Sequence, residues 1–317
     1  DHFIGGNAFG TIVEARKFIA EITGAKIEAA TQAAKLADET VEVAVVLAGR
    51  EMVAGARKQG RSDAVIYDRL VSLYNAQPNL GVRSSTSVRE QAYSTPVPLA
   101  FLASRLAGIG PTDKVLEPTA GNGMLLLEVA PGNAVANELN ADRTANLRAM
   151  GFAPTSKNAA TETLTTAKVD AAIMNPPFGA VKDASGNTVR YDIAPGYSTG
   201  EVDHAIVFNA LDAMKDDGRA VLIVGGVDAS SEEQIREGYR GKSKRDFYAR
   251  LYGQYQVTDH FTVDGTLIDA WASFKSFKPK DGTPPKDGDD GTGMVDFKGE
   301  KRSNATHQST TNPEFRL

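Results

Sequence analysis

The sequence predicts an α/β fold in which a mostly parallel open sheet follows an N-terminal helical region. Two patterns carry that expectation. From Pro111 onward short apolar runs alternate with segments of helical spacing, the rhythm of strand, crossover and strand. Before it, Thr11 to Asn75 is rich in Ala, Glu, Lys and Arg and repeats apolar residues at helical intervals: Ile12, Ala15, Ile19 and Ile22, then Val41, Val45, Val46 and Met52. With 317 residues, 41% of them hydrophobic and 24% charged, the chain can bury a sizeable core.

The elements follow in order. Asp1 to Gly10, with three glycines, reads as a loop leading in from a longer chain or a trimmed end. Three or four helices fill Thr11 to Asn75, and Gln77 to Arg89 is a linker or surface loop. A helix is expected over Phe101–Leu106. Strands are expected at Lys114–Glu117, Ala134–Asn137, Val169–Met174, Arg219–Val224 and Gln256–Val263. Helices are expected at Met124–Val129, Ala141–Met150, Val202–Met214 and Lys244–Tyr255. From Lys278 the chain turns to Lys, Asp, Gly, Pro, Thr and Ser, a composition that cannot offset its ordering entropy, so a flexible tail is expected.

Composition narrows the chemistry. With no cysteine, a disulfide framework, a thiolate nucleophile and a Cys-ligated metal are excluded, and four scattered histidines argue against a His-rich site. With a formal net charge of −5, nucleic-acid binding must come from a local basic surface or from a partner. No apolar run approaches the about 20 residues needed to cross a bilayer, so neither a membrane span nor a signal peptide is expected.

Three strand ends hold the candidate chemistry. In Glu117-Pro118-Thr119-Ala120-Gly121-Asn122-Gly123 an acid closes the first strand and a two-glycine turn follows, where the backbone can approach a ligand closely. The third glycine of a dinucleotide fingerprint is absent, since Leu126 stands there. Glu117 suits a cationic or amine-bearing ligand, such as the methionine part of S-adenosylmethionine, better than a pyrophosphate. Glu138 closes the second strand 21 residues later, placed to accept two ribose hydroxyls. Asn175-Pro176-Pro177-Phe178-Gly179 ends the Val169–Met174 strand, and its prolines lock a turn that offers the Asn175 side chain and Pro176 carbonyl as acceptors. Gripping the N–H bonds of an exocyclic amine would localise its lone pair, and Phe178 offers a stacking face. Upstream, Thr95-Pro96 reads as a helix start and as a lid over the methionine end.

In this order the elements resemble the N6-adenine DNA methyltransferases. More narrowly, Tyr93 to Val263 resembles the methylase module of large phage and plasmid anti-restriction proteins, typically followed by a strawberry-notch-type helicase. Besides the motifs above, Glu201-Val202-Asp203-His204 and Met214 to Val224 carry the likeness. The resemblance implies a class I, Rossmann-like S-adenosylmethionine-dependent methyltransferase. Asn175, Pro176, Pro177 and Phe178 would be catalytic; Thr95, Pro96, Glu117, Thr119, Gly121, Gly123, Glu138 and Asn158 would bind S-adenosyl-L-methionine. Where many members place an acid after the third strand this chain has Ala159, leaving Asn158 or Glu162 as substitutes.

The expected organisation is a helical region and linker over 1–90, a methyltransferase domain over 91–277 and a tail over 278–317. The expected substrate is adenine flipped out of DNA, in a modification or anti-restriction role in the cytoplasm of a bacterial or phage-infected cell. A helicase region or partner in a longer parent protein is part of that expectation. Methyl transfer to an RNA base or to protein glutamine, and a non-catalytic scaffold, are the alternatives. His204 after Asp203 invites a dyad reading, but amine methylation of this type needs no strong base, so a helix-start role is expected. Ala180–Thr199, with Lys182, Arg190, Tyr191 and Tyr197, reads as a flexible nucleic-acid-contacting loop. Arg236, Arg240, Lys242, Lys244, Arg245 and Arg250, interleaved with Tyr239, Phe247 and Tyr248, form the best phosphate-binding stretch.

Overall fold

The computed structural model describes residues 1–78, 94–225 and 232–257, together with short strands at 277–279, 295–297, 300–302 and 307–309. The chain divides into two units, Asp1–Gly225 and Gly226–Leu317. The border expected at residue 90 lies outside the described residues, and the one expected at 277 falls within a described strand.

In the first unit three helices occupy the region where helical spacing predicts them: α1 (Ile12–Thr23), α2 (Gln32–Lys58) and α3 (Asp63–Ala76). Each starts on a side chain that accepts an otherwise unpaired backbone N–H: Thr11 from Glu14, Thr31 from Ala34, Ser62 from Val65. Their apolar stripes do not form a separate core. Val41, Val45 and Val53 of α2 and Ile66 and Leu70 of α3 are buried in one cluster with Val115, Ala136, Leu147, Ala171 and Ile173 of the α/β layer.

That layer is the predicted one. Helix α4 (Val97–Leu106) precedes β1 (Val115–Glu117), β2 (Ala134–Ala136), α5 (Ala141–Ala149) and β3 (Val169–Met174). A hairpin of β4 (Tyr191–Ala194) and β5 (Tyr197–Thr199) comes next, then α6 (Val202–Leu211) and β6 (Met214–Leu222). Strands pair in parallel in the order β2-β1-β3-β6, with Leu116 opposite both Val135 and Ala172, and Ile173 opposite Val221. A parallel bridge from Asn137 to Thr155 continues the sheet beyond β2. The chain steps outward from β1 to β2 and then returns to β1's other side as β3. The order therefore reverses between β1 and β3, and at such a switch point open α/β sheets bind ligands beyond the carboxyl ends of the strands.

Several expectations are corrected. Met124–Val129 is not an α-helix but a 3-10 turn, Met124–Leu126. Met124, Leu125, Leu126 and Leu127 are all buried, leaving no polar face for a surface helix. The Arg50 guanidinium of α2 donates to the Leu126 and Val129 carbonyls, and the Leu126 carbonyl is otherwise closed only by the short i→i−3 bond from the Val129 N–H at 3.1 Å. Helix α4 starts earlier than Phe101, and α6 stops at Leu211. Strand β6 begins at Met214 and shifts register across Lys215–Gly218 before rejoining β3. Ala180–Thr199 is ordered: Tyr191 pairs with Thr199 and Ala194 with Tyr197 across Pro195-Gly196, Lys182 bridges to Thr188, and Arg190 donates to the Ser198 hydroxyl at 2.6 Å. Among the described residues no helix is long and apolar enough to cross a membrane.

In the second unit α7 (Glu232–Arg240) and α8 (Lys242–Gln254) form a helical pair. Tyr239 and Tyr252 flank Tyr248 with ring centroids 5.8 and 5.9 Å away. Arg240 pairs with Glu237, and Lys242 and Arg245 with Asp246. Short antiparallel pairs follow, β7 (Phe277–Pro279) with β10 (His307–Ser309) and β8 (Val295–Phe297) with β9 (Glu300–Arg302). Part of the segment expected as a flexible tail thus carries strand pairing. Most of the expected Gln256–Val263 strand lies outside the described residues.

Candidate active site

The loop after β1 is fixed by backbone and amide bonds before any ligand is considered. Asn137, buried at the end of β2, donates its backbone N–H to the Glu117 carbonyl at 3.0 Å and accepts from the Ala120 N–H at 2.8 Å. Its side-chain nitrogen donates to the Pro118 and Lys157 carbonyls, both at 2.9 Å, and its oxygen accepts from Thr155 and the Lys157 N–H, both at 2.8 Å. Every polar atom of this amide is satisfied, so β1, β2 and the segment beyond are tied at one point. Gly121 and Gly123 lie in the left-handed region, φ +56° and +84°, which a side chain would strain. A Cβ at Gly121 would meet open space, whereas one at Gly123 would come within 3.1 Å of Leu147. Gly121 therefore leaves room above the loop, while Gly123 lets α5 pack closely.

Glu138 sits beside this turn. One carboxylate oxygen accepts from the Gly121 N–H at 2.8 Å and the other from the Asn140 N–H at 2.7 Å. Each oxygen retains a lone pair, so Glu138 can still accept ribose hydroxyls while holding the turn in place.

Four polar atoms on these strand ends are buried without a hydrogen-bond partner: both carboxylate oxygens of Glu117, the Thr119 hydroxyl and the Asn175 side-chain oxygen. Leaving such atoms unpaired costs about 1–3 kcal/mol each, more for a charge. All four follow the carboxyl ends of β1 and β3, the two strands that flank the switch point. Burial pushes the Glu117 carboxyl well above its ordinary range, and the Glu138 charge adds to the rise. The Thr119 N–H opposes it without closing a hydrogen bond to either oxygen.

On the next strand, Asn175 follows β3 directly. Its side-chain nitrogen donates to the Thr95 hydroxyl at 3.0 Å across 80 residues of sequence, leaving the oxygen as a free acceptor. This corrects the role expected for Thr95: helix α4 is preceded by Pro96 and has no side-chain cap, so the Thr95 hydroxyl serves Asn175 instead. Pro176 is buried, and Pro177 and Phe178 are half-buried. Gly179 is held at both ends, donating to Asp203 at 3.2 Å and accepting from the Val202 N–H at 2.8 Å.

Asp203, fully buried, accepts from the Gly225 N–H at 3.1 Å with its second oxygen. A Cβ at Gly225 would lie 3.1 Å from that of Phe178. Asp203 thus binds the turn carrying Phe178 to the segment after β6. Asp203→Asn turns one acceptor into a donor facing an N–H. Thermal unfolding is expected to show a loss of about 1–3 kcal/mol, and an unchanged melting temperature would refute this role.

His204 is also fully buried, its Nδ1 3.4 Å from the Thr199 hydroxyl at the foot of the hairpin, as suits a residue that opens a core helix. Asn158 is exposed and spends its side-chain oxygen on the Ala160 N–H, shaping its own turn. Ala159 is buried, and its carbonyl accepts from Asn209 of α6. Direct bonds thus join Gly121 to Glu138 and Asn175 to Thr95; Glu117, Thr119 and Phe178 lie on the same strand ends; and Asn158 follows Lys157, which Asn137 binds at the end of β2.

Sequence reasoning missed Asn137, Asn122 and Glu39. Asn122 is buried between the two glycines, donating to Glu39 of α2 at 2.6 Å and accepting from Asn146 of α5 at 2.9 Å. A polar residue between two turn glycines was the available signal, but its partners lie far off in sequence. A cavity of about 700 Å³ lined by Arg50, Arg57, Leu127 and Glu128 among others contains none of the site residues.

No protein-family model and no curated protein matches this chain. Among solved structures, it is similar to PH1948 from Pyrococcus horikoshii, provisionally assigned as an RNA methyltransferase, with 20% identity over 47% of this chain and 70% of that one, and a TM-score of 0.34. It is also similar to TrmN from Thermus thermophilus, with 17% identity over 51% of this chain and 57% of that one, and a TM-score of 0.32. A further match is precorrin 8W decarboxylase from Methanobacterium thermoautotrophicum, with 18% identity over 49% of this chain and 73% of that one, and a TM-score of 0.30.

Proposed function

We propose that this chain is an S-adenosylmethionine-dependent methyltransferase that modifies the N6 amine of adenine in DNA. One observation carries the reading. The Asn175 side-chain oxygen is buried and unpartnered at the switch point, its amide anchored through nitrogen to Thr95.

The residues present fit the cofactor. The Glu117 oxygens lack a donor that a ligand ammonium would supply, Glu138 retains acceptors for ribose hydroxyls, and Gly121 opens onto free space. When bound, S-adenosylmethionine supplies an electrophilic methyl group. The chain's part is to hold the amine. Asn175 Oδ1 and the Pro176 carbonyl accept its two N–H bonds, drawing the nitrogen lone pair out of ring conjugation and toward the methyl. Phe178, braced against Gly225, stacks on the base. One amine proton leaves to solvent as the N–C bond forms and the donor's C–S bond breaks. In duplex DNA the adenine must first be flipped out of the stack.

The segment carrying Lys182 and Arg190 before the hairpin is one surface proposed to contact nucleic acid; in the second unit, the Tyr239-Tyr248-Tyr252 cluster with Arg240, Lys242 and Arg245 is proposed separately as a phosphate-binding surface. An anti-restriction role inside a longer protein with a helicase region is part of the same proposal. Tritiated methyl transfer to DNA, RNA and protein, measured side by side, tests it. Label in DNA recovered as N6-methyladenine is the expected result. Label only in RNA or in protein glutamine would reassign the substrate, and calorimetry without cofactor binding would leave a scaffold.

A further inference from the structure

We infer that Glu39 of helix α2 is a positioning residue for the ligand loop, fixing the Gly121-Asn122-Gly123 turn through the Asn122 side chain. The inference rests on the proposed cofactor site and concerns what holds that site in shape.

Positive-φ glycines on both sides of Asn122 give the turn little stiffness of its own. Outside its own backbone bonds, side chains of three residues hold it: Glu138, Glu39 and Asn146. Glu138 takes the Gly121 N–H at 2.8 Å, and Glu39 takes the Asn122 side-chain nitrogen at 2.6 Å. Asn122 is 1% exposed, with its oxygen bound by Asn146 at 2.9 Å, so its amide has a donor and an acceptor partner and one orientation that satisfies both. Glu39 is itself aimed: the Arg143 Nε lies 3.1 Å from both of its oxygens, and the two side chains are only 11% and 14% exposed. Glu42, one helical turn along the same face, is buried beside them. Burial raises its pKa and the Arg143 charge pulls it back. For Arg143 burial acts downward, but Glu42 and Glu39 outweigh it and hold the guanidinium above its ordinary value. Glu39 thus reaches the turn from a helix 83 residues earlier in the chain, aimed by Arg143 of α5, with Glu42 beside it.

Glu39 shares no hydrogen bond with the unpartnered atoms of Glu117, Thr119 or Asn175. Its loss should therefore loosen the turn and weaken cofactor binding while leaving the amine-holding groups in place.

The test combines calorimetry with S-adenosylhomocysteine, methyl-transfer kinetics, and amide hydrogen exchange across residues 120–124 of the ligand-free protein. Glu39→Ala is expected to weaken binding about tenfold or more, to raise exchange in the turn, and to change kcat at saturating cofactor by less than about threefold. Asn122→Asp sets two carboxylates face to face and should behave alike. Adding Glu39→Gln supplies an amide donor to that aspartate and should restore both binding and exchange protection. Glu39→Gln alone keeps the volume and an acceptor, so it provides a folded variant for comparison should Glu39→Ala melt early. Wild-type binding and wild-type exchange in Glu39→Ala and Asn122→Asp overturn the inference, as does a fall in kcat with unchanged affinity. If the wild-type protein binds no cofactor, the proposed function fails, and the exchange measurement still decides the role of Glu39.

Discussion

Asn175→Ala is expected to abolish methyl transfer while leaving cofactor binding intact. The Asn175 oxygen is one of the two acceptors assigned to the target amine, and it needs no reorganisation because its nitrogen is already bound to Thr95 at 3.0 Å. Removing a preorganised group of this kind typically costs about 100- to 1,000-fold in kcat, so single-turnover transfer should fall by at least that factor. Affinity for S-adenosylhomocysteine should stay within about threefold, because the groups assigned to the cofactor belong to the β1 and β2 ends. Stability should change little. The substitution frees the Thr95 hydroxyl but also removes a buried oxygen that had no partner, two effects of opposite sign and similar size. Asn175→Asp keeps an acceptor at the same place and should retain more activity than Asn175→Ala. Equal and nearly full activity in both variants would remove Asn175 from the chemistry.

Much of this site was legible because its parts are local. A glycine turn after an apolar strand, an acid closing the next strand and a double proline after the third each follow from a few adjacent residues, and the β2-β1-β3-β6 order brings their ends together. Less visible were features decided by distant partners. The Thr95 hydroxyl looks like a helix cap until Asn175, 80 residues on, claims it. Met124 to Val129 reads as a helix because its apolar run does not show that Arg50 of α2 will take the Leu126 and Val129 carbonyls. The β4–β5 hairpin reads as a loop because strands of four and three residues carry little periodicity, and Pro195-Gly196 between them is as common in loops. The N-terminal helices gave no local sign that Glu39 would reach the ligand loop.

Glu117→Gln should make the ligand-free protein more stable at neutral pH and its cofactor binding weaker. Both effects come from one carboxyl group, 1% exposed, with neither oxygen hydrogen-bonded and with Glu138 near enough to oppose its ionisation. Because the folded-state pKa lies well above the ordinary 4.5, folding favours the protonated form. The group's contribution to stability is fully present below the unfolded-state value and is lost as pH rises through the folded-state value. Gln mimics the neutral form at every pH, so the melting-temperature difference between the variant and wild type should grow across that window. At neutral pH the gain should reach about 1–3 kcal/mol, or roughly 2–4 °C for each kcal/mol in a protein of this size. Binding runs the other way. A ligand ammonium beside Glu117 favours the carboxylate, so wild-type affinity should increase with pH through the same window and binding should release protons, visible as a buffer-dependent calorimetric heat. Glu117→Gln should abolish that proton release and weaken binding about 10- to 100-fold, the range for a hydrogen bond to a charged group. A variant that binds as tightly as wild type, or that melts lower at neutral pH, would mean that Glu117 serves the fold rather than the ligand.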